Sequence, residues 1–457
     1  MKKSSFDKHA MLAEIQAKDL FRTDDHGIFE FNESSKVWNR SPKKLAEKVL
    51  LKHYLPSDRN ATGFRYDPEK REKLFSVCKE ICDALFTDPV FRLPECKLDT
   101  FTLPLTGGKN LNLKTLKLGT FGKSDFVTWA ANFSFNEKAA WNDAPNFKRY
   151  VKLSLGIDLD LTELPPDKAD KLTLICQILT YLVSNLTGAK KAFILLGPAN
   201  CGKSRLLNFV KRFIGESNFS PLRFSDLGDR FRTSMLLYTN YILNDELGKD
   251  IDNLDLIKKV VSGEEIVAEE KNKPSFVLKP SIKVAFATNI LPMPREMDPG
   301  GAFLQRLQIL KFSESIDRKD WDLDLDAKLW EERDAIMSIA IRKSVEFVNS
   351  NFQFTDDPEA LSIVLNYSLE TNSVKAFVSD ETYVIRDSAE AIHVRKLYDT
   401  YKLFCAENCI RAVSDRVFSG QLMDLGFTKT RKRLPGDKNP RFVILGLKLL
   451  LKVDANV

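Results

Sequence analysis

Short alternations of apolar and polar residues characterise the first third of the chain, and solid apolar runs mark its middle. Residues 191–196, 241–243 and 284–287 are such runs, and short unbroken runs are typical of buried parallel strands. Residues 204–214 and 253–262 lie between these runs and repeat apolar side chains at helical spacing. Because strand and helix alternate here, the pattern predicts an α/β sheet.

The first third of the chain predicts a hairpin, two helices and a group of strands. Residues 27–31 alternate apolar and polar side chains, 32–35 supply a turn, and a helical stretch at 42–53 follows a second short strand. Residues 69–85 have apolar side chains at helical spacing. Residues 100–119 contain short apolar alternations around a Gly-Gly pair, which indicates strands and turns.

Helices are predicted on either side of the central sheet. Residues 172–186 are apolar almost all round, as expected of a helix packed in the core of a larger domain, and residues 326–350 are also helical. Helices over 389–409 and 414–425 then precede residues 429–452, a basic turn flanked by apolar, strand-like runs. This order of elements at the C-terminus predicts a winged helix.

Length and composition fit several ordinary folded domains. The 457 residues are 43% hydrophobic and 29% charged, which excludes a disordered or collagen-like chain. A net charge of +6 neither requires nor excludes a nucleic-acid partner. We predict a small N-terminal domain (1–99), a helical domain (100–190), an α/β core (191–315), a helical segment (316–371) and a winged-helix domain (372–457).

The cysteines indicate a reducing compartment. The chain has seven, with no CxxC pair and no Cys/His cluster at zinc spacing. Cys78 and Cys82 are four residues apart, as are Cys405 and Cys409, so each pair shares a helix face, where small buried thiols are expected.

No stretch approaches the ~18 apolar residues that a membrane span needs. We therefore expect a cytoplasmic protein.

A phosphate-binding loop is predicted between the first buried strand and the helix after it. The sequence there fills the pattern GxxxxGK[ST] completely. Glycines allow the backbone N–H groups to curl around a polyphosphate, and the start of the helix favours the same anion. A lysine ammonium would bridge the outer phosphates, and a serine hydroxyl would be a ligand of Mg²⁺. The predicted nucleotide-binding residues are Gly197, Pro198, Ala199, Asn200, Cys201, Gly202, Lys203 and Ser204.

Polar residues at the ends of two later strands add hydrolytic chemistry. Asp245 and Glu246 follow the run at 241–243, where Asp245 would reach the metal and Glu246 would act as general base on water. Asn289 ends the next strand and would orient that water or contact the terminal phosphate. Arg306 and Arg295 are candidates for stabilising transition-state charge in a neighbouring subunit, and surface ion pairs are the alternative role.

These residues, in this order, resemble the superfamily 3 helicases of the phage and plasmid primase-helicase type. The Walker A motif of that family matches residues 197–204, its Walker B motif matches 244–246, and its C motif matches 286–289. The resemblance implies an AAA+ P-loop ATPase core that binds ATP and Mg²⁺. It extends over most of the chain from about residue 100, including the helical domain and the winged helix.

The resemblance also implies a ring. Residues 256–273 are similar to the family motif whose hairpin enters the ring channel, so that Lys271 and Lys273 would contact single-stranded DNA. A solvated hairpin is the alternative. Arg306 matches the second arginine of a pair in which the first is Gln305 here, which implies an arginine finger acting in trans, in a ring expected to be a hexamer. By the same resemblance, movement along DNA is 3′ to 5′.

A second basic cluster lies in the C-terminal region. Four basic residues lie where the tip of a wing is expected, namely Lys429, Arg431, Lys432 and Arg433. The helix beside this tip has Arg411 and Arg416 near its start. A basic wing would bind duplex DNA at an origin, and a solubilising turn is the alternative.

Three functions remain open from the sequence. The first is an ATP-dependent DNA helicase that initiates replication of a mobile element. The second is a bifunctional primase-helicase, although no zinc-binding cysteine set and no room for a primase domain precede residue 100. The third is an origin-binding or helicase-loading ATPase that does not unwind DNA.

Overall fold

A computed structural model shows two compact units. The first comprises Met1–Ala140, Val183–Leu186 and Arg333–Ser350, and the second comprises Trp141–Leu182, Thr187–Glu332 and Asn351–Val457. The five-part division expected from the sequence stays a prediction. The structure describes residues 7–25, 27–54, 68–215, 218–220, 222–223, 226, 232–245, 250–251, 253–269, 274–291, 293–294, 301–312, 315–408 and 412–450.

The α-helices and strands of these residues follow in chain order. The helices are α1 Lys8–Lys18, α2 Ala46–Tyr54, α3 Pro68–Thr87, α4 Pro145–Leu155, α5 Pro166–Leu182, α6 Lys203–Ile214, α7 Leu254–Ser262, α8 Leu325–Glu331, α9 Arg333–Lys343, α10 Val345–Asn349, α11 Pro358–Thr371, α12 Ser373–Ser379, α13 Val394–Glu407 and α14 Asp415–Asp424. The strands are β1 Phe21–Thr23, β2 Gly27–Asn32, β3 Val37–Pro42, β4 Thr102–Leu105, β5 Lys109–Asn112, β6 Leu118–Thr120, β7 Ala192–Leu196, β8 Phe219–Ser220, β9 Tyr241–Asn244, β10 Asp250–Ile251, β11 Ile266–Ala268, β12 Phe276–Leu278, β13 Lys283–Thr288, β14 Met293–Pro294, β15 Leu307–Lys311, β16 Val384–His393, β17 Thr428–Lys432 and β18 Arg441–Leu449.

The first unit contains two small antiparallel sheets. Strands β1, β2 and β3 form one and β4, β5 and β6 the other, which confirms the predicted hairpin and the strands after residue 100. Helices α1, α2 and α3 bury apolar side chains in a common core with β1 and β2. Cys78 and Cys82 are among these side chains, and burial raises the pKa of both thiols to about 11. The prediction of small buried thiols is therefore confirmed for this pair.

The second unit contains a five-stranded parallel sheet. Its order is β15-β7-β13-β9-β8, so β13 lies between β7 and β9. All five residues of β7 are buried, as its unbroken apolar run predicts. Helices α6 and α7 carry apolar faces with buried leucine, isoleucine and valine side chains. The predicted mixed α/β fold with a parallel sheet is confirmed.

The C-terminal part of the second unit differs from its prediction at one point. Strands β16, β18 and β17 form an antiparallel sheet beside α13 and α14. The pattern predicts a helix from residue 389, but Ala391 pairs with Leu445 and His393 pairs with Val443 in the sheet, so the helix begins only at Val394. Pairing with β18 overrides the helix propensity of the alanines and the glutamate there.

The C-terminal core is made by helices α12, α13 and α14 with the sheet. Phe377, Tyr401 and Phe418 are fully buried and in contact, with ring centroids 4.6 Å apart for Tyr401 and Phe418. Cys405 is buried as predicted, and Cys409 lies outside the described residues. Across the described ranges, no helix is long and apolar enough to cross a membrane.

Candidate functional site

The loop between β7 and α6 requires glycine at two positions. A Cβ atom on Gly197 would lie 2.7 Å from the Cβ atom and 2.9 Å from the carbonyl oxygen of Phe312. Gly202 has a φ of +95°, and a Cβ atom there would collide with the side-chain oxygen of Ser154. These are the two glycines of the GxxxxGK[ST] pattern. The loop therefore has a shape that other residues cannot adopt without moving their neighbours.

Lys203 begins α6 and turns back over this loop. Its Nζ atom donates hydrogen bonds to the carbonyl oxygens of Gly197, at 2.8 Å, and Pro198, and lies 3.4 Å from the sulfur of Cys201. The residue is only 8% exposed. The ammonium group is thus held inside the curve of the loop, where the sequence places the outer phosphates of a nucleotide.

The structure brings Asn289 to the same ammonium group. Asn289 directly follows β13, which pairs in parallel with β7, so both strands end at the same edge of the sheet. The Nζ atom of Lys203 donates to the Oδ1 atom of Asn289 at 3.0 Å. The backbone N–H of Gly197 also donates to the carbonyl oxygen of Thr288 at 3.1 Å. Two motifs about ninety residues apart in the sequence therefore meet in one cluster.

Asp245 lies at the same edge, one strand further away. It follows β9, which is separated from β7 by β13, so the two strand ends are about 10 Å apart. An oxygen of its carboxylate lies 3.7 Å from the Nζ atom of Lys211 on α6. Lys211 is seven residues beyond Ser204, on the same face of that helix. Glu246 lies outside the described residues.

Arg306 lies at the amino-terminal ends of the parallel strands, whereas the loop lies at their carboxyl ends. It directly precedes β15, and Leu307 at the start of that strand pairs with Ala192 at the start of β7. The guanidinium group donates to the Oγ atom of Ser262 and to the carbonyl oxygen of Ala302, both at 2.8 Å. The second candidate, Arg295, lies outside the described residues.

A cavity of about 250 Å³ opens beside the loop. On one side, Tyr150 of α4 donates its hydroxyl to the carbonyl oxygen of Gly202 at 3.0 Å, and burial raises the pKa of that hydroxyl. On the other side, the Oγ atom of Ser315 donates to the carbonyl oxygen of Ala199 at 2.8 Å, and the N–H of Ile316 donates to Asn200 at 3.0 Å. Both walls of the cavity are therefore attached to the loop.

The sequence did not predict these walls. Tyr150 lies about fifty residues before the loop, and the segment from Ser315 lies more than a hundred residues after it. One signal was present, namely Trp321, a large aromatic residue within a strongly charged stretch. Spatial proximity to the loop, which no periodicity encodes, is what makes these residues candidates.

The predicted DNA-contact residues are partly described. Lys271 and Lys273 lie outside the described residues, but β11 and β12 pair antiparallel on either side of them, with Val267 opposite Val277. In the C-terminal sheet, the predicted tip position is wrong for three of four basic residues. Lys429, Arg431 and Lys432 lie on β17, and the turn begins only at Arg433.

Two basic side chains of β17 lie against an aromatic side chain of β18. Phe442 is half-exposed, and its ring centroid lies 5.2 Å from the Nζ atom of Lys429 and 4.8 Å from the guanidinium carbon of Arg431. The Nε atom of Arg433 donates to the carbonyl oxygen of Asp437 within the turn at 2.9 Å. Arg416 is exposed in the first turn of α14, and Arg411 lies outside the described residues.

Comparison with known proteins gives a family match over the middle of the chain. The model of a family of unknown function (DUF5906) matches residues 195–306, which contain the loop, Asp245, Asn289 and Arg306. No curated protein matches the chain.

Solved structures of the C-terminal region of NrS-1 resemble the chain over nearly its whole length. An apo structure is 11% identical with a TM-score of 0.48 and covers 98% of this chain and 100% of its own. Two A form apo structures have identities of 11% and 10%, TM-scores of 0.47 and 0.46, and cover 95% and 96% of this chain and 99% and 100% of their own. Identities and TM-scores this low carry no statement about activity, so the proposals below rest on the geometry of this chain.

Proposed function

We propose that this protein is an ATP-hydrolysing DNA helicase of the AAA+ superfamily 3 type that initiates replication of a mobile element. The observation that carries the proposal is the 3.0 Å hydrogen bond from Lys203 in the loop to Asn289 at the end of β13. The inserted strand β13, between the strand of the loop and the strand before Asp245, is the arrangement expected of an AAA+ core.

The residues present suit a nucleoside triphosphate with Mg²⁺. Gly197 and Gly202 let the loop pack closely against Phe312 and Ser154, and the backbone N–H groups of a loop curved in this way would surround the phosphate oxygens. Lys203 would exchange its loop carbonyls for those oxygens, and Ser204 and Asp245 would hold the metal. Bound Mg²⁺ would neutralise charge on the outer phosphates.

Hydrolysis would use three further side chains. Glu246 would take the proton of the attacking water, and Asn289 would orient that water or the terminal phosphate. Arg306 would stabilise transition-state charge in a second subunit, because it directly precedes β15, and the far end of that strand lies beside the loop of its own chain. Sites shared head to tail between subunits form a ring when the rotation between neighbours closes, and for this ring we propose a hexamer.

DNA contacts would come from two places. Lys271 and Lys273 would grip the backbone of single-stranded DNA in the ring channel, which needs no base recognition. Lys429, Arg431, Lys432 and Arg433 would bind duplex DNA at an origin through a winged-helix domain. Lys429 and Arg431 are two residues apart on β17 and share one face of the sheet beside Phe442, which supports a basic strand face as the contact surface.

Strand displacement on a forked DNA duplex tests the proposal. Wild type should unwind the fork with ATP and Mg²⁺, and Glu246→Gln should bind ATP without unwinding. Glu381→Gln, an exposed glutamate in the turn before β16, is the matched control and should behave as wild type. Unwinding that survives Glu246→Gln would exclude the proposed hydrolytic role.

The same assay separates the two alternatives. ATP hydrolysis without strand displacement by wild type would favour an origin-binding or helicase-loading ATPase. Primer synthesis on a single-stranded template would favour a primase-helicase, and we expect no product.

A further inference from the structure

The cavity beside the loop has its walls built at fixed positions relative to the phosphate-binding residues. Five residues of the loop also line the cavity, namely Asn200, Cys201, Gly202, Lys203 and Ser204. The hydrogen bonds from Tyr150, Ser315 and Ile316 to loop carbonyls attach both walls to the loop. A ligand with phosphate groups in the loop would therefore extend directly into this space.

The far wall of the cavity presents large apolar side chains to solvent. Trp321 is 45% exposed and Leu323 is 82% exposed, although both line the cavity. Exposed apolar side chains grouped around a concave site indicate a surface that a ligand covers. Leu153, on the α4 side, adds a further apolar group to the lining.

The indole ring of Trp321 is held in place. Its Nε1 atom donates to the carbonyl oxygen of Ile316 at 2.9 Å, and Ile316 is itself bonded to the loop. The guanidinium group of Arg318 lies over the ring, 5.8 Å from its centroid. A flat, oriented aromatic ring is the type of surface on which nucleic-acid bases stack.

We propose that this cavity binds the base of the nucleotide, that Trp321 is the stacking platform, and that a purine is preferred over a pyrimidine. The inference rests on the proposed function, since it needs the phosphates to lie in the loop. The preference follows because a two-ring base covers more of the indole than a one-ring base does. Trp321 is thus a specificity-determining residue that acts on the base and not on the phosphates.

Calorimetric titration with three ligands tests the inference on the full chain. The ligands are Mg·ATP, Mg·CTP and Mg·tripolyphosphate, the last of which has the phosphates without a base. The variants are Trp321→Ala, Trp321→Phe and Leu323→Ala, with Leu361→Ala on α11 as an exposed apolar control outside the cavity. Lys203→Ala tests the loop itself.

Wild type should bind ATP more tightly than CTP, and CTP more tightly than tripolyphosphate. Trp321→Ala should weaken ATP binding by about tenfold, within the range known for base stacking, and leave tripolyphosphate binding unchanged. Trp321→Phe should restore most of the loss. Leu323→Ala should weaken ATP by about threefold, and its side chain is too exposed for the substitution to disturb the fold.

Three negative outcomes are distinguishable. If tripolyphosphate binds through Lys203 but Trp321→Ala and Leu323→Ala leave ATP affinity unchanged, the base pocket is wrong and the proposed function stands. If neither ATP nor tripolyphosphate binds in a way that Lys203→Ala abolishes, the proposed function itself fails. Loss of single-stranded DNA binding in Trp321→Ala, with ATP affinity intact, would assign the ring to DNA and overturn the inference.

Discussion

Two substitutions of Asn289 should shift nucleotide affinity in opposite directions. The side-chain oxygen of Asn289 accepts a hydrogen bond from Lys203 at 3.0 Å, and Lys203 must give up this bond to contact phosphate. Asn289→Ala removes the competing acceptor. Asn289→Asp replaces it with a carboxylate of nearly the same shape, which holds the ammonium group more strongly. ADP is the ligand to measure, because it has no terminal phosphate that Asn289 itself could contact.

The magnitudes follow from the exposure of the two residues. Lys203 is buried and Asn289 is exposed, so solvent weakens the interaction between them. Losing the hydrogen bond should release about 1 kcal/mol and make ADP binding about fivefold tighter. A carboxylate at the same place should hold Lys203 by about 1 to 2 kcal/mol more, so that ADP binds roughly 5- to 30-fold more weakly. ATP turnover should fall in both variants, by on the order of 100-fold.

A matched lysine–asparagine pair elsewhere provides the control. Asn142 accepts a hydrogen bond from Lys148 at 3.1 Å, is exposed, and does not line the cavity. Asn142→Ala and Asn142→Asp should leave ADP affinity within about a factor of two of wild type, because an exposed polar pair contributes little free energy. Titration of fluorescent ADP measures all four variants. If both Asn289 variants shift the affinity in the same direction, the competition between Asn289 and phosphate for Lys203 is refuted.

Three further predictions concern separate parts of the second unit. Gly197→Ala should lower the thermal unfolding midpoint and abolish nucleotide binding, because its Cβ atom would overlap Phe312, whereas Gly420→Ala, with nothing within 4 Å, should do neither. Lys283→Met should stabilise the fold at pH 7, because burial lowers the pKa of Lys283 from 10.5 to about 7 and methionine brings no charge into the core. Between pH 7 and 10.5 the unfolded chain carries a proton on Lys283 that the folded chain lacks, so the free energy of unfolding of wild type should rise with pH over this range. Denaturant titrations that show no such rise would contradict the burial of Lys283 as a destabilising factor. Arg306→Ala should keep nucleotide binding and lose turnover, which a loop variant with an intact Arg306 should partly restore in mixed assemblies; no rescue would indicate a structural arginine.

The central sheet could be predicted because burial and secondary structure agree there. The residues of β7 are all apolar and all buried, and a run of only five such residues between polar segments is typical of a strand enclosed on both faces. The end of β16 could not be predicted in the same way. Ala389 and Ala391 favour a helix locally, and the partner strand β18 that makes them extended lies about fifty residues later.

The C-terminal sheet shows how charge can mislead. The run of basic residues at 429–433 was assigned to the tip, but Pro435 and Gly436 carry the turn chemistry, and Gly436 has a φ of +91°. The charged residues therefore lie mostly on β17. Charge indicates what a surface binds, and only turn-forming residues indicate where a strand reverses.

The sheet that brings Lys203 to Asn289 also keeps Arg306 from their cluster. Because β7 and β15 are parallel and start in register, the loop follows one end of the sheet and Arg306 precedes the other. Five strand residues span about 16 Å, which is more than an arginine side chain can bridge. Any catalytic contribution of Arg306 therefore has to be made to a second copy of the chain. The parallel register of β15 and β7 therefore agrees with the role in trans that the resemblance implies for Arg306, and it makes the proposed turnover depend on assembly.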